Sequence, residues 1–532
     1  MAIGAGPGDG PYRGPTWSRP GRFLKPWTTV NPSVDPVTAI PFNNQYTALG
    51  EGFFVRTRPS PVSGPRMVCF NRDLARDLGL DADMLDSEYG AAVFAGNEIP
   101  EGADPLAMVY SGHQFGMFNP QLGDGRALLL GEVVGRDGLG YGIQLKGSGR
   151  TVFSRNGDGR APLGPVLREY LVSEAMHRLG VPTTRALAVV TTGDSVFRER
   201  ALPGGIITRV ARSFVRVGTF EFYARRGNIE AVSALADHVI RRNYPDLDGM
   251  ERPYLALLEK VIGRQASLIA QWMQLGFIHG VMNTDNMSVA GETIDYGPCA
   301  FMDQFNFQQV FSSIDHQGRY AYCNQPYIAL WNLTRLAECL ALILDDDREK
   351  AVEQATEALE KFIPRYEGAW LQGMRAKCGL GETPGQAGED HKKLIGDLLD
   401  LMANSRADYT LSFFHLSSLG SREGPEDEAF TGQFGTPGPA GEWLARWRDS
   451  LRGQSLDDRE RRDRMRRVNP LYIPRTHLIE AAIRAAEDAG DFSEFHAFHA
   501  VLRNPHERQP GKERYQMPPA PEEVVLETFC GT

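Results

Sequence analysis

Three polar residues near the middle of the chain have the types and spacing that suit metal-dependent chemistry on a phosphate. Asp285 and Asn286 stand side by side in a polar loop, and Asp295 follows in the segment Asp295-Tyr-Gly. Carboxylate and amide oxygens are hard ligands of the kind that Mg²⁺ prefers, and substrate phosphates usually complete its coordination. Asn286 and Asp295 are therefore candidate ligands of Mg²⁺ or Mn²⁺.

The order of residues in this loop is that of a protein-kinase catalytic loop, with one departure. The loop opens on His279-Gly, and the sequence His, Asp, Asn, Asp follows the usual order of roles. An ordinary kinase has its catalytic Asp two residues after this His and five before the Asn. Val281 occupies that position here, and Asp285 adjoins Asn286 instead. The usual base for phosphoryl transfer is missing, and we interpret His279 as a brace for the loop.

A second group of residues, earlier in the chain, has the chemistry of a phosphate-binding lobe. Gly123 and Gly125 flank a turn that lets backbone N–H groups approach phosphate oxygens, and Arg126 adds a cation. Lys146 ends a predicted strand, and Glu169 lies in the next predicted helix, the order needed for a lysine held by a helix carboxylate. Taken alone, a plain hairpin turn and two surface charges remain the alternatives.

The segment between Lys146 and Arg160 is rich in glycine and arginine. Arg150, Arg155 and Arg160 alternate with four glycines. Arginines bind phosphate oxygens in pairs of hydrogen bonds, and glycines leave room for a polyphosphate to approach. No Gly-Lys-Ser/Thr is present to complete a P-loop. We expect this segment to wrap a polyphosphate.

The elements that position these residues form a β-rich part followed by a helical part. Alternating and apolar runs predict strands over 127–134, 141–146, 186–192 and 205–210, with a helix from about Pro165 to Gly180. Beyond residue 228 the pattern predicts helices over 229–242, 254–275, 326–344 and 349–362, with surface loops over 379–390 and 418–441 and a solvated helix over 457–467. The prediction is an α+β, protein-kinase-like bilobal fold with a cleft between the lobes.

The amino-acid composition of the chain argues against some classes of binding partner and cellular location. Lys and Arg number 57 against 67 Asp and Glu, a formal net charge of −10 that argues against bulk binding to nucleic acid or to an anionic membrane. The first 20 residues are rich in Gly and Pro and have no apolar stretch, so we expect no secretory signal. The six cysteines form no C-x-x-C pair and suggest no disulfide framework, so we expect the protein to lie in a reducing cytoplasm.

At the level of whole motifs the chain resembles the selenoprotein O family, over about residues 40–475. The segments that carry the resemblance are Phe42-Asn-Asn, Tyr110-Ser-Gly-His-Gln-Phe-Gly, Gln121-Leu-Gly-Asp-Gly-Arg-Ala, Gln144-Leu-Lys-Gly-Ser-Gly-Arg-Thr, Ser154-Arg-Asn-Gly-Asp-Gly-Arg, His279-Gly-Val-Met-Asn-Thr-Asp-Asn, Asp295-Tyr-Gly-Pro, Asp315-His-Gln-Gly-Arg-Tyr and Asn469-Pro-Leu-Tyr-Ile-Pro-Arg. The resemblance implies a kinase-like fold that transfers AMP, rather than phosphate, from ATP to Ser, Thr or Tyr hydroxyls of proteins, including possible self-modification. It also implies that ATP binds inverted relative to ordinary kinases.

The resemblance assigns roles residue by residue. Asp285 would accept the hydroxyl proton, Asn286 would bind metal, and Asp295 would bind both metal and nucleotide. Glu169 would steady Lys146. The other nucleotide-binding residues it implies are Gly123, Gly125, Arg126, Lys146, Asp158 and Gly159, with Arg209 and Arg216 on the distal phosphates. The predicted regions are a flexible arm (1–22), an N-lobe (23–225), a helical C-lobe (226–480) and a C-terminal helical extension with a cysteine-containing tail (481–532).

Two other functions and one regulatory question stay open at the level of sequence. The alternatives are an orthodox kinase that transfers the γ-phosphate and a catalytically inactive scaffold that binds ATP. Some relatives in the resembled family pair a C-terminal cysteine with a second one to gate activity. Cys530 occupies such a place, Cys299 is its nearest candidate partner, and a free reduced thiol is the alternative.

Overall fold

The computed structural model describes residues 39–381, 386–452, 454 and 456–528, and the side chains of 386 and 387 are not described. The predicted N-terminal arm and Cys530 lie outside the described residues.

The N-terminal half is built on one antiparallel sheet with strand order β1-β3-β6-β7-β10-β9-β2, and β8 pairs with β10. The hairpin predicted over 127–134 and 141–146 is confirmed, and its register places Ala127 opposite Lys146. The strands are β1 Phe54–Arg56, β2 Arg66–Phe70, β3 Leu106–Met108, β4 Gly112–Gln114, β5 Met117–Asn119, β6 Ala127–Val134, β7 Gly140–Lys146, β8 Ala161–Pro162, β9 Arg185–Phe197, β10 Ala201–Ala211, β11 Phe277–Ile278 and β12 Ala300–Phe301.

Helices dominate the chain after β10, as the sequence predicts. The described helices are α1 Arg72–Asp77, α2 Ala82–Leu85, α3 Glu88–Ala95, α4 Leu163–Arg178, α5 Val217–Ala224, α6 Ile229–Asn243, α7 Pro253–Leu275, α8 Gln325–Leu344, α9 Arg348–Glu360, α10 Phe362–Lys377, α11 Gln386–Ser405, α12 Tyr409–Leu416, α13 Asp427–Thr431, α14 Pro437–Leu451, α15 Asp458–Val468, α16 Thr476–Ala489 and α17 Ser493–Leu502. The α+β, kinase-like architecture with a sheet-rich N-terminal region and a helical C-terminal region is confirmed. The region boundaries drawn from the sequence stay predictions.

Helix α4 is the element that joins the sheet to the C-terminal helices. One side of α4 packs on β9 and β10, and α16 and α17 cover the other side. Burial on both sides explains why charged residues such as Glu169 and Glu174 are almost fully enclosed, at 2% and 4% exposure. Each is paired with arginine, as a buried carboxylate must be. The helix can therefore hold a carboxylate at a fixed place behind the sheet.

The loops predicted over 379–390 and 418–441 are only partly correct. Helix α11 begins at Gln386, α13 occupies Asp427–Thr431, and α14 begins at Pro437. Proline fits the first turn of a helix, so a Pro/Gly-rich stretch marked a helix start here as well as a loop.

The solvated helix predicted over 457–467 exists as α15, but one of its arginines is enclosed. Arg461 is 3% exposed, forms an ion pair with Asp458 at 2.7 Å, and lies 5.5 Å from the ring of Trp447. The alternation of charge predicted the helix and its largely exposed surface correctly, and only Arg461 and Met465 of this segment are buried.

Among the described residues, one helical stretch, Tyr322–Leu344, is long and apolar enough to cross a membrane by length and composition alone. It contains α8, which packs against α5, α7 and α9. Leu333 and Leu340 at its centre are fully buried there. These contacts are those of a core helix.

Candidate active site

A cavity of about 690 Å³ opens between the sheet and the loops that follow α7. Eleven of the twelve residues to which the resemblance assigns a site role line it: Gly123, Gly125, Arg126, Lys146, Asp158, Gly159, Arg209, Arg216, Asp285, Asn286 and Asp295. Glu169 lies behind this wall and contacts the cavity through its partners. Residues from positions 123 to 295 of the sequence thus meet in one place.

The wall on the sheet side is a buried network of two cations and two carboxylates. Lys146 Nζ donates to Glu169 Oε2 at 2.7 Å, which confirms the pairing expected from their spacing. Arg209 of β10 donates to Glu169 Oε1 and, at 2.5 Å, to Asp295 Oδ1. Lys146 Nζ is also 3.6 Å from Asp295 Oδ1. The network fixes the Asp295 carboxylate relative to the sheet.

Asp295 is held as a carboxylate by its neighbours. Burial acts to raise its pKa, but Arg209, Lys146 and Arg216 outweigh burial and hold the pKa well below its ordinary value. Its backbone lies in the left-handed region, at φ +61°, which is uncommon for a residue with a side chain. Strained backbone of this kind is typical of functional sites.

Asp285 lines the same cavity from the loop that follows α7. It lies in a single 3-10 turn, Thr284–Asn286, and is 8% exposed. Gln114 Nε2 lies 3.4 Å from its Oδ2, while Oδ1 is buried and has no hydrogen-bond partner among the described residues. Burial raises the pKa of Asp285 to about 7. A carboxylate with a spare lone pair and a raised pKa is suited to accept a proton.

The β4–β5 hairpin positions Asp285. The backbone N–H of His113 donates to Thr284 Oγ1 at 2.7 Å, and Thr284 Oγ1 donates to Glu221 Oε2 at 2.5 Å. His113 Nδ1 lies 2.5 Å from Glu221 Oε1. Burial lowers the pKa of His113 to about 4, so the ring is neutral near pH 7. His113 is therefore a hydrogen-bonded structural histidine, and Glu221 of α5 is a partner that the sequence did not reveal.

His279 braces the loop, as its sequence position suggested. Its Nε2–H donates to the carbonyl of Ile294 at 2.8 Å, and the N–H of Val281 donates to Nδ1 at 3.3 Å. Both ring nitrogens are therefore occupied in the neutral form. Asn286 Nδ2 donates to the carbonyl of Val281 at 2.9 Å. Val281, which occupies the position of the usual kinase Asp, therefore supports the loop through its backbone.

The glycine-rich turn brings a buried carboxylate into the site. Gly123 has φ +78°, and a side chain there would overlap the ring of Phe153. Asp124, only 1% exposed, lies 3.4 Å from the guanidinium of Arg216 and accepts from the N–H of Met108 at 3.1 Å. The guanidinium of Arg216 also lies over the Tyr110 ring at 4.4 Å. Asp124 and Tyr110 position the guanidinium of Arg216. The sequence did not indicate this role, because Gly-Asp-Gly is typical of an ordinary hairpin turn.

The glycine- and arginine-rich segment closes the outer end of the cavity. Asp158 forms a two-point ion pair with Arg198, with contacts of 2.9 and 3.1 Å. Arg155 and Arg160 line the cavity as expected. Arg150 does not, and its guanidinium instead donates to the carbonyl of Arg155 at 3.3 Å.

The donor set fits a hard divalent cation that shares its ligands with a phosphate. Asp295 is ionised, Asn286 lines the same cavity, and Asp285 Oδ1 has no described partner. The described residues contain no group of three His, Cys, Asp or Glu side chains that would hold a metal by themselves. Mg²⁺ commonly takes one or two protein ligands and completes its coordination with phosphates and water.

The charge of the cavity indicates its ligand. Seven basic side chains line it against four carboxylates, in a chain whose formal net charge is −10. The seven are Arg126, Lys146, Arg155, Arg160, Arg198, Arg209 and Arg216. Such local reversal of charge attracts a polyanion, and the volume is that of a pocket for a nucleotide-sized molecule. The fold and the site together define a kinase-like, nucleotide-dependent transferase.

Comparison with known proteins supplies the family. The family described as "Protein adenylyltransferase SelO" matches residues 36–503. "Protein nucleotidyltransferase YdiU" of Rhodopseudomonas palustris strain BisB5 is 58% identical over 492 residues, which cover 92% of this chain and 99% of the relative. Proteins of the same name from Bradyrhizobium diazoefficiens and Rhizobium etli are each 55% identical, over 92% and 93% of this chain and 99% and 98% of their own length. The chain belongs to the SelO family and is a nucleotidyltransferase.

Proposed function

We propose that this protein transfers AMP from ATP to hydroxyl side chains of proteins through Asp285. One observation carries the proposal. Six of the seven basic residues lie on or next to strands of the sheet or on the 147–160 segment, whereas Arg216 lies at the start of α5. Asp285, the only buried carboxylate with an unpartnered oxygen among the described residues that line the cavity, lies on the loop that follows α7. A nucleotide whose β- and γ-phosphates contact the basic wall presents its α-phosphorus, rather than its γ-phosphorus, to Asp285.

The reaction divides between the two walls. Asp285 accepts the proton of the incoming hydroxyl, and the hydroxyl oxygen bonds to the α-phosphorus. The bond between the α-phosphorus and the bridging oxygen breaks, and pyrophosphate leaves with that electron pair. Negative charge grows on the leaving group, where Lys146, Arg126 and Arg216 can stabilise it by preorganised contacts.

The metal site belongs to this proposal. Asn286 and Asp295 would hold Mg²⁺ or Mn²⁺, which neutralises phosphate charge and polarises the phosphorus when bound. Ionised Asp295 also orders Arg209 and Lys146 through the contacts described above. The chain thus keeps its metal-binding carboxylate at a fixed distance from its phosphate-binding cations.

Acceptors and location stay proposals drawn from the sequence. We propose proteins with accessible Ser, Thr or Tyr hydroxyls as acceptors, including this chain itself, and a cytoplasmic location. Neither nucleic acid nor a membrane is needed by the reaction.

ATP labelled at either the α- or the γ-phosphorus tests the proposal. The purified chain is incubated with Mg²⁺ or Mn²⁺ and a general acceptor protein, and the label bound to protein is counted. We expect label on protein from the α position, released pyrophosphate, and loss of both in Asp285→Asn. Protein label from the γ position alone would establish an orthodox kinase. No label from either position, with ATP still bound, would establish an inactive scaffold.

A further inference from the structure

A second cavity, of about 240 Å³, lies against α4. It is formed where α1, α4 and α17 meet, and shares no lining residue with the nucleotide cavity. Tyr170 of α4 lines it, one residue beyond Glu169. Its volume is below the roughly 300–1,000 Å³ of pockets for drug-sized ligands, so it suits a small ion or molecule.

The charged groups of this second cavity are mostly cations. Four arginines line it, namely Arg72, Arg76, Arg178 and Arg503, against the carboxylates Asp73 and Glu174. Glu174 is already bound by Arg185 through contacts of 2.7 and 2.8 Å, outside the cavity lining. Arg72 is paired with Asp83 and Asp86 at the rim. The remaining cations therefore face one carboxylate.

That carboxylate, Asp73, is shared by three guanidinium groups. Its oxygens lie 2.9 Å from Arg76, 2.8 Å from Arg503 and 3.7 Å from Arg178. One negative charge cannot neutralise three positive ones. The three arginines come from α1, α4 and the residue that follows α17, so the fold itself assembles them.

The remaining wall adds no competing charge. Phe70, Ala175 and Leu502 are apolar, and His499 is enclosed against the Tyr170 ring at 5.1 Å. The side chains of Arg76, Arg178 and Arg503 are 57%, 34% and 51% exposed, so an anion can reach their guanidinium groups from solvent. Guanidinium groups match the geometry of phosphate oxygens.

We propose that a free phosphate-type anion, inorganic phosphate or pyrophosphate, binds between α1, α4 and α17, held by Arg76, Arg178 and Arg503. The anion supplies the negative charge that Asp73 alone does not. Because α4 also carries Glu169, the site lies on the helix that supports the nucleotide-binding lysine.

Isothermal titration calorimetry tests the site in the full chain. The active site is first filled with a non-hydrolysable ATP analogue at about one equivalent, and phosphate or pyrophosphate is then titrated at constant ionic strength. We expect one binding event for at least one of the two anions. Arg503→Gln should weaken it by about 10-fold or more, the cost of losing a charged hydrogen bond. Asp73→Asn should tighten it several-fold, because a competing carboxylate is removed.

The matched control is Arg466→Gln, which removes an arginine of similar exposure from an Asp–Arg pair on α15. It should leave the affinity unchanged. The proposal is overturned if neither anion binds the nucleotide-filled protein. It is also overturned if Arg503→Gln and Arg466→Gln bind equally, or if Asp73→Asn weakens binding. None of these results bears on AMP transfer, so the two proposals fail separately.

Discussion

At the scale of single residues, the site depends on carboxylates whose surroundings set opposite properties. Asp295 is surrounded by cations and stays ionised, whereas Asp285 is buried with one unpartnered oxygen and a raised pKa. The first is suited to hold positive charge in place and the second to take up a proton. Both come from one short stretch of chain, so position in the fold rather than residue type separates their roles.

Asp285→Asn should abolish AMP transfer without harming the fold. Loss of the proton acceptor is expected to lower the rate by about 10²–10³-fold or more. An unpartnered buried carboxylate oxygen is costly, so the melting temperature of the metal-free variant should equal or exceed that of the parent. Rate and thermal unfolding are measured on the same sample. A variant that keeps its activity, or that melts well below the parent, would contradict this assignment.

Glu169→Gln should separate positioning from stability. The variant removes one of the two carboxylates that Lys146 and Arg209 share, so we expect a higher KM for ATP and a lower melting temperature. Glu174→Gln is the matched control, since it breaks a buried arginine pair on the same helix away from the nucleotide. Both variants should lose stability, and only Glu169→Gln should change KM. Equal effects on KM would show that α4 acts only through stability.

At the scale of elements, the β4–β5 hairpin and α5 form a support for the turn that carries Asp285. Gly112 lies so close to Asp285 that a Cβ at this position would be 2.3 Å from the carboxylate oxygen. A Cβ at Gly218, at the start of α5, would likewise be 2.1 Å from the carbonyl oxygen of Ser111. Two glycines therefore allow the hairpin, the helix and the turn to pack together.

Gly112→Ala should displace Asp285 or the hairpin and lower activity by about 10-fold or more, since small misplacements of reacting groups are costly. Gly441→Ala is the control, because a Cβ there meets nothing within 4 Å on an exposed face of α14. It should keep full activity and gain up to about 1 kcal/mol of stability. Full activity in Gly112→Ala would mean that this close packing does not position the carboxylate.

Sequence reasoning named most of the charged residues that line the cavity and missed those that hold them in place. Lys146, Glu169 and Asp295 were recognisable because their spacing follows the order of strand, helix and loop. Glu221 was not, because its contacts with His113 and Thr284 span 108 and 63 residues of sequence. Such pairs are decided by how the hairpin docks on the helical part, which no local pattern encodes.

At the scale of the whole molecule, several motifs outside the active site join distant parts of the chain. Arg475 is fully buried and donates to Asp408 at 2.8 Å and to Asp303. Glu132 accepts from the N–H of Tyr46 at 2.6 Å and pairs with Arg242 at 2.5 Å. These contacts indicate that the family-like segments around Phe42 and Asn469 have a structural role rather than a catalytic one.

The stability of the whole molecule should depend on pH through Glu292. Burial raises the pKa of Glu292 to about 7, above its value of roughly 4.3 in an unfolded chain. Between these two pH values the folded state holds a proton that the unfolded state has lost. The contribution of Glu292 to the free energy of unfolding is therefore fully present below about pH 4.3 and is lost as the pH rises to about 7. Compared with Glu292→Gln, the parent should lose roughly 1–3 kcal/mol across this interval.

Chemical denaturation of both proteins at several pH values measures the difference. Glu292 accepts from the backbone N–H of Arg212 at 3.0 Å, a contact that glutamine can keep through its carbonyl oxygen. Parallel curves for the two proteins from pH 4.5 to 7 would mean that Glu292 ionises alike in the folded and unfolded states.

The direction in which the nucleotide lies between the basic wall and Asp285 determines which phosphorus is transferred. A crystal structure of the chain with a non-hydrolysable ATP analogue and Mg²⁺ measures it directly. We predict the α-phosphorus beside Asp285, with the β- and γ-phosphates against Lys146 and Arg216. A γ-phosphorus beside Asp285, with the adenosine turned towards the sheet, would contradict the account.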